Sequence, residues 1–244
     1  MPSEQVAGAM AAPAGASLRK GLATVLAREQ ALPVVEGLAG LFPEGLRRGS
    51  SNVVAKGAAG GAALLLCLLS GPSAAGSWCA VVGGADLGLV AAAQLGVDLG
   101  RLALVPDPGA SWAVVTAALL EGFDVVALWL PGGRASVSDA RKLEARARER
   151  GSVLLVLGEG WPGAADVRLS VASASWQGLG EGHGFLAGCE LEVVSGGRGA
   201  ASRPRRACLQ LKGVVPEGLA EPPAPFLQPV AAQLRPLAQP AGPP

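Results

Sequence analysis

Through the middle of the chain, short apolar runs alternate with stretches of helical length. Residues 53–55, 78–82, 102–105, 124–130 and 153–157 carry apolar runs of strand length bounded by turn formers. Between them, residues near 62–70, 87–95, 111–121 and 139–150 read as helices. Strands that are apolar on both faces need cover on both faces, so the alternation predicts right-handed βαβ units around a mainly parallel sheet lying between helices. The predicted class is α/β. After Gly158 the period changes: residues 189–194 and 207–211 are short alternating segments around a glycine- and arginine-rich loop, the pattern of an antiparallel β extension.

The two ends read differently from the middle. Residues 1–16 are small and polar, with Pro2 and Pro13, and predict a disordered leader. Residues 17–41 hold an amphipathic helix and its linker: Ser17 is placed to cap, and Leu18, Leu22, Val25 and Leu26 recur at helical spacing, with Gly21 weakening the helix. The core then spans 42–213. Residues 214–244 repeat proline among scattered Leu, Phe and Val and cannot sustain regular structure alone. Apolar residues among prolines are expected of segments that order on a partner. Leu18, Leu22, Val25 and Leu26, and Phe226, Leu227, Val230 and Leu234, are therefore candidate partner-binding residues. The alternatives are a helix packed back on its own core and a tail that is simply disordered.

Composition narrows the function classes. Half of the 244 residues are hydrophobic, enough for a sizeable core, and a formal charge of +1 gives no general attraction to DNA, RNA or anionic lipid. The wealth of Arg, Ala and Gly and the absence of Tyr suggest a GC-rich genome. Cys67, Cys79, Cys189 and Cys208 are too widely spaced for a zinc cluster or a disulfide framework and fit reduced thiols in a cytosolic protein. The N-terminus lacks a charged start followed by an apolar core, and no run reaches the roughly 18 uncharged apolar residues of a membrane span. These features predict a cytoplasmic protein with no membrane partner.

The stretch "VVAKGAAGGAALLLCLLS" runs from a strand through a glycine turn into a helix, where a phosphate-binding loop would lie. A working loop of the form G-x-x-x-x-G-K-[S/T] needs a lysine for the β and γ phosphates and a hydroxyl for Mg²⁺. With Gly61 as the second motif glycine, the lysine position falls on Ala62, the hydroxyl position on Ala63 and the first glycine position on Lys56. Gly57, Gly60 and Gly61 then serve a tight connection, and the loop (Lys56, Gly57, Gly61, Ala62, Ala63) is degenerate.

Carboxylates do not stand where an ATPase needs them either. Asp86 lies beyond one strand, Asp124 opens another at its far end, and Asp107 between Pro106 and Pro108 reads as a turn residue or cap. His183 is a loop residue without a ligand array, and Ser70, Ser138 and Ser175 stand in no nucleophile elbow. Catalytic residues, metal ligands and cofactors are thus expected to be none. Arg141, Lys142, Arg146, Arg148 and Arg150 form a helix face partly neutralised by Glu144 and Glu149. Arg198, Arg203, Arg205 and Arg206 form an uncompensated late cluster suited to phosphate or an acidic partner.

The order of segments, "GSSNVVAKGAAGGAALL", "VVGGADLGLVAAAQLGVDLGRLALVPDPG", "GFDVVALWLPGG" and "ARARERGSVLLVLG", resembles the ATPase core of the RecA recombinase, over residues 42 to 211. The resemblance implies a RecA-like three-layer core with a C-terminal antiparallel extension. It places Ala62 and Ala63 at the phosphate-loop lysine and threonine, Gly84 at the catalytic glutamate and Trp129 at the Mg²⁺-holding aspartate. RecA-like chains with such losses are similar to the actinobacterial ImuA-type (ImuA′) accessory proteins of the damage-inducible mutasome. That likeness implies a non-catalytic adaptor in SOS-induced translesion synthesis, near the nucleoid, with an ImuB-like Y-family polymerase homologue and an error-prone α-subunit polymerase as partners and only weak or indirect DNA contact. The alternative is a SulA-like cell-division inhibitor that binds the tubulin-like division GTPase.

Overall fold

The computed structural model describes residues 31–55, 60–130, 132, 134–179, 184–197 and 203–212. Its strands are β1 (Ala31–Leu32), β2 (Leu46–Arg47), β3 (Ser51–Val54), β4 (Cys79–Val82), β5 (Leu102–Val105), β6 (Val125–Trp129), β7 (Val153–Leu157), β8 (Val167–Leu179), β9 (Gly184–Gly197) and β10 (Arg205–Lys212). Its helices are α1 (Gly61–Ala74), α2 (Leu89–Gln94), α3 (Trp112–Leu119) and α4 (Val137–Arg150). β1 and β2 make a small antiparallel pair; the other strands form one sheet of order β10-β9-β8-β3-β7-β6-β4-β5. From β8 to β5 all neighbours are parallel, and β9 and β10 continue the sheet antiparallel. A mixed, mostly parallel sheet with antiparallel C-terminal strands is consistent with a RecA-like core.

Alternation along the strands divides the core in two, because successive side chains of a strand point to opposite faces. Val54, Val81, Ala127 and Leu155 pack with Leu64, Leu65 and Leu68 of α1. Their neighbours Val53, Val82, Leu128 and Val156 pack with Ala140, Leu143 and Ala147 of α4 and with Leu120 beyond α3. The result is three layers. Leu32, Leu38, Leu41 and Leu46 join the α1 side, so the segment around β1 and β2 is part of the same core.

The five predicted central strands appear within one or two residues of their expected limits. The helix expected at 62–70 runs on to Ala74 through Gly71 and Pro72, and Gly71 sits against the backbone of Pro33 and Val34, where a Cβ would come within 2.6 Å of the Pro33 carbonyl oxygen. Helix α4 starts two residues early because Ser136 caps it: its hydroxyl accepts the Asp139 N–H at 3.0 Å and donates to the Asp139 carboxylate at 2.7 Å. The extension is larger than predicted. β8, which the pattern did not announce, pairs with β3 on one side and β9 on the other, and β9 and β10 are longer than the alternating segments inside them. Among the described residues no helix is long and apolar enough to cross a membrane.

Candidate functional site

In a parallel sheet with helical crossovers, ligands bind at the carboxyl ends of the strands, where loops lead into helices. β3 leads into the loop before α1; residues 56–59, with Lys56 and Gly57, lie outside the described residues. The backbone resumes at Gly60, whose φ of 106° is open to glycine, and α1 begins at Gly61. Ala62 and Ala63 on its first turn line a cleft of about 270 Å³. Leu87 and Leu95 on either side of α2 line it too, together with Trp176, Cys189 and Leu211 of the extension.

Trp129 lines the cleft as well. It ends β6, and its indole lies over the end of β4, where Gly83 and Gly84 have φ of 80° and 68°. A Cβ on Gly84 would stand 2.6 Å from Cε3 of that ring, and one on Gly83 would stand 2.5 Å from the Trp129 carbonyl oxygen. The two glycines and the indole are thus one packed unit, which fills the space that a side chain at position 84 would need.

The chemistry available in the cleft is small. Asp86 is the charged residue among its described lining, with Gln94 as a neutral polar neighbour. Burial pushes the Cys189 thiol up, away from the thiolate form that a nucleophile needs. Burial likewise pushes Cys67 up to about 12, with Cys189 adding to the rise, and burial followed by Asp124 pushes Cys79 up to about 12. Among the described residues no group of three His, Cys, Asp or Glu could hold a metal ion.

The other carboxylates serve the scaffold. Asp124 lies at the far end of β6, pairs with Arg48 at 2.9 Å and accepts the Trp78 N–H at 3.0 Å. Asp107 accepts the Gly109 N–H at 3.3 Å, as a turn residue does. Asp166 accepts the Ser51 N–H at 3.0 Å and pairs with Arg47 at 3.2 Å, tying the approach to β8 onto β3. Ser70 is buried and donates to the Cys67 carbonyl at 3.0 Å. His183 lies outside the described residues.

Two electrostatic expectations need correction. Glu144 does not neutralise the arginine face of α4: it is buried, and its carboxylate accepts the Trp161 indole N–H at 3.1 Å. Glu121, just beyond α3, takes that role, facing Arg146 at 3.5 Å and Arg150 at 3.4 Å, while Glu149 faces Arg146 at 3.4 Å. The late arginine cluster is not wholly uncompensated either, since Arg206 pairs with Glu192 at 2.6 Å across β10 and β9. Cross-strand position sets that pair, and no spacing within the loop announces it. Arg205 opens β10, Arg203 lies two residues before it, and Arg198 lies outside the described residues. The candidate docking residues at both ends, Leu18, Leu22, Val25, Leu26, Phe226, Leu227, Val230 and Leu234, also lie outside them.

Of the four positions that the resemblance singled out in the sequence, Ala62, Ala63 and Trp129 line the cleft and Gly84 packs against the Trp129 indole; sequence reasoning went no further. It missed Trp176, Cys189 and Leu211, which arrive from β8, β9 and β10. Cys189 and Leu211 fall in the alternating segments of the extension, whereas Trp176, in β8, has no local signal.

A family model described as the MT3502 N-terminal domain matches residues 40–163, half of the 244-residue chain. The stretch includes β2 through β7 and so contains Ala62, Ala63, Gly84 and Trp129. A protein of Mycobacterium tuberculosis (strain ATCC 25618 / H37Rv), named uncharacterized protein Rv3395c, is 39% identical over 150 residues, which is 61% of this chain and 72% of that protein. On this match the chain belongs to the MT3502 N-terminal domain family.

Proposed function

We propose that this chain is a non-catalytic adaptor of the ImuA′ kind, acting in the cytoplasm beside the nucleoid in a DNA-damage-inducible, error-prone translesion-synthesis complex. The observation that carries the reading is the apolar cleft at the carboxyl ends of the strands. A triphosphate is held by charge-assisted hydrogen bonds and a metal. At this cleft Ala62 and Ala63 open the helix, and an indole covers the end of β4. Burial of apolar side chains is what such a surface offers, and a scaffold that keeps its architecture while presenting apolar surface suits assembly better than turnover. We read the loop before α1 as a degenerate phosphate loop on the same ground.

The resemblance to ImuA-type proteins supplies the partner classes: an ImuB-like polymerase homologue and an error-prone α-subunit DNA polymerase. In this reading the contacts are made by Leu18, Leu22, Val25 and Leu26 and by Phe226, Leu227, Val230 and Leu234. DNA is reached through the polymerases, with Arg198, Arg203 and Arg205 as the chain's own weak contacts. The test is affinity purification of the tagged full chain from cells after DNA damage. Enrichment of the two polymerase subunits is expected; recovery of the division GTPase in their place would favour a SulA-like inhibitor, and recovery of neither overturns the adaptor role.

A further inference from the structure

We infer that the apolar cleft is the docking site of the chain's own C-terminal segment around Phe226 and Leu227, so that the tail is held in cis against the core until a partner displaces it. The inference concerns the same cleft as the adaptor reading and goes beyond it, since docking of the tail in cis requires no partner.

Size comes first. Small-molecule sites run from about 300 to 1,000 Å³, and at about 270 Å³ this cleft fits one or two side chains better than a nucleotide. Its described lining carries one charge, on Asp86, so a charged occupant would lose its hydration with little return. The occupant should be apolar and uncharged.

The tail meets that description. From Pro222 to Leu234 it reads PPAPFLQPVAAQL, thirteen residues without a charge, while Glu217, Glu221 and Arg235 stand outside this run. Proline restricts the unbound chain, which lowers the entropy lost on docking.

Connectivity then selects this segment over any free one. Leu211 lines the cleft, and the described residues end at Lys212, the next position. Fifteen positions separate Leu211 from Phe226 (226 − 211). Fully extended, a chain of that length spans up to about 50 Å. Phe226 can therefore return to the cleft that the chain has just left. A segment tethered at that distance reaches its site at an effective concentration in the millimolar range, which a free peptide of equal affinity does not match in the cell.

The experiment uses the isolated full chain at low micromolar concentration. A photoreactive benzophenone is placed at the ring of Phe226, and crosslinks are mapped by mass spectrometry. Crosslinks within one chain to Leu87, Leu95 or Trp176 are expected. Crosslinks confined to other surfaces, crosslinks only between two chains, or none at all overturn the inference. A second variant of the full chain, Phe226→Asp with Leu227→Asp, should leave the circular dichroism unchanged while shifting tryptophan emission to the red and raising its quenching by acrylamide, because Trp129 and Trp176 would lose their cover. Unchanged emission and quenching would count against docking. No partner is present in either measurement, so failure here leaves the adaptor reading standing, and loss of the polymerase partners in the affinity purification leaves this one standing.

Discussion

At the residue scale, several side chains have roles that only their surroundings define. Gly84 stands where the resemblance puts a catalytic glutamate, but its φ of 68° and the indole of Trp129 leave no room for a side chain. Gly84→Glu should cost about 2–4 kcal/mol, from left-handed backbone strain together with overpacking, and should confer no ATP hydrolysis; urea unfolding and a phosphate-release assay check both. The Glu144–Trp161 pair is similar in kind. Trp161→Phe removes the indole N–H from a buried carboxylate and should destabilise by at least about 1–3 kcal/mol, whereas adding Glu144→Leu on that background should recover part of the loss, as a double-mutant cycle would read out. The buried thiols make a pH prediction. Cys67 and Cys79 titrate near 12 in the folded chain, above the ordinary value of 9.0, so the unfolded chain loses these protons first as pH rises. Their contribution is fully present below pH 9.0 and is lost as pH climbs towards 12. Stability should fall in that window by about 1.4 kcal/mol per pH unit per thiol, and Cys79→Ala should make the fall shallower between about pH 9 and 11 in chemical denaturation.

At the scale of elements, α1 and α2 show how burial changes the meaning of similar apolar sequences. α1 is buried on nearly all sides, with Leu64, Leu65, Leu68 and Leu69 fully enclosed, as a helix that is apolar all round must be. α2 is short, and its Val90 is 73% exposed. Leu65→Ala should therefore cost about 2–5 kcal/mol through transfer and cavity terms, while Val90→Ala should stay within about 0.5 kcal/mol; the two midpoints of thermal unfolding separate these outcomes. The five central strands were legible because an apolar run of four or five residues between turn formers has few ways to be buried. β8 was not legible: Ser170, Ser173 and Ser175 interrupt its apolar pattern, and its pairing with β3 and β9 is what makes it a strand.

At the scale of the whole molecule, the sheet gathers residues from 62 to 211 around one cleft, and that cleft is apolar. Millimolar ATP with Mg²⁺ should leave the melting temperature of the full chain unchanged. A ligand at 100 times its Kd would stabilise by about 2.7 kcal/mol, so a rise of several degrees by differential scanning fluorimetry would reveal a nucleotide site and overturn the non-catalytic reading.

The sequence by itself determined the identities at the phosphate-loop position and the run of strands and helices around it. Both are properties of a residue or of a short window, and the absence of a lysine at Ala62 needs no coordinates to be seen. The layers also followed, since strands apolar on both faces must lie between helices. Tertiary structure alone decided which distant residues share a cleft. Cys189 and Leu211 reach Ala63 only because β8 joins β3 and the extension folds back along it, and Arg206 meets Glu192 only because β10 and β9 pair in one register. Burial of Glu144 against Trp161 belongs to the same class, because helical spacing places Glu144 on a face of α4 but does not say what covers that face. Periodicity reports the sides of one element; the topology that sets elements against one another is fixed by the packing of the whole chain.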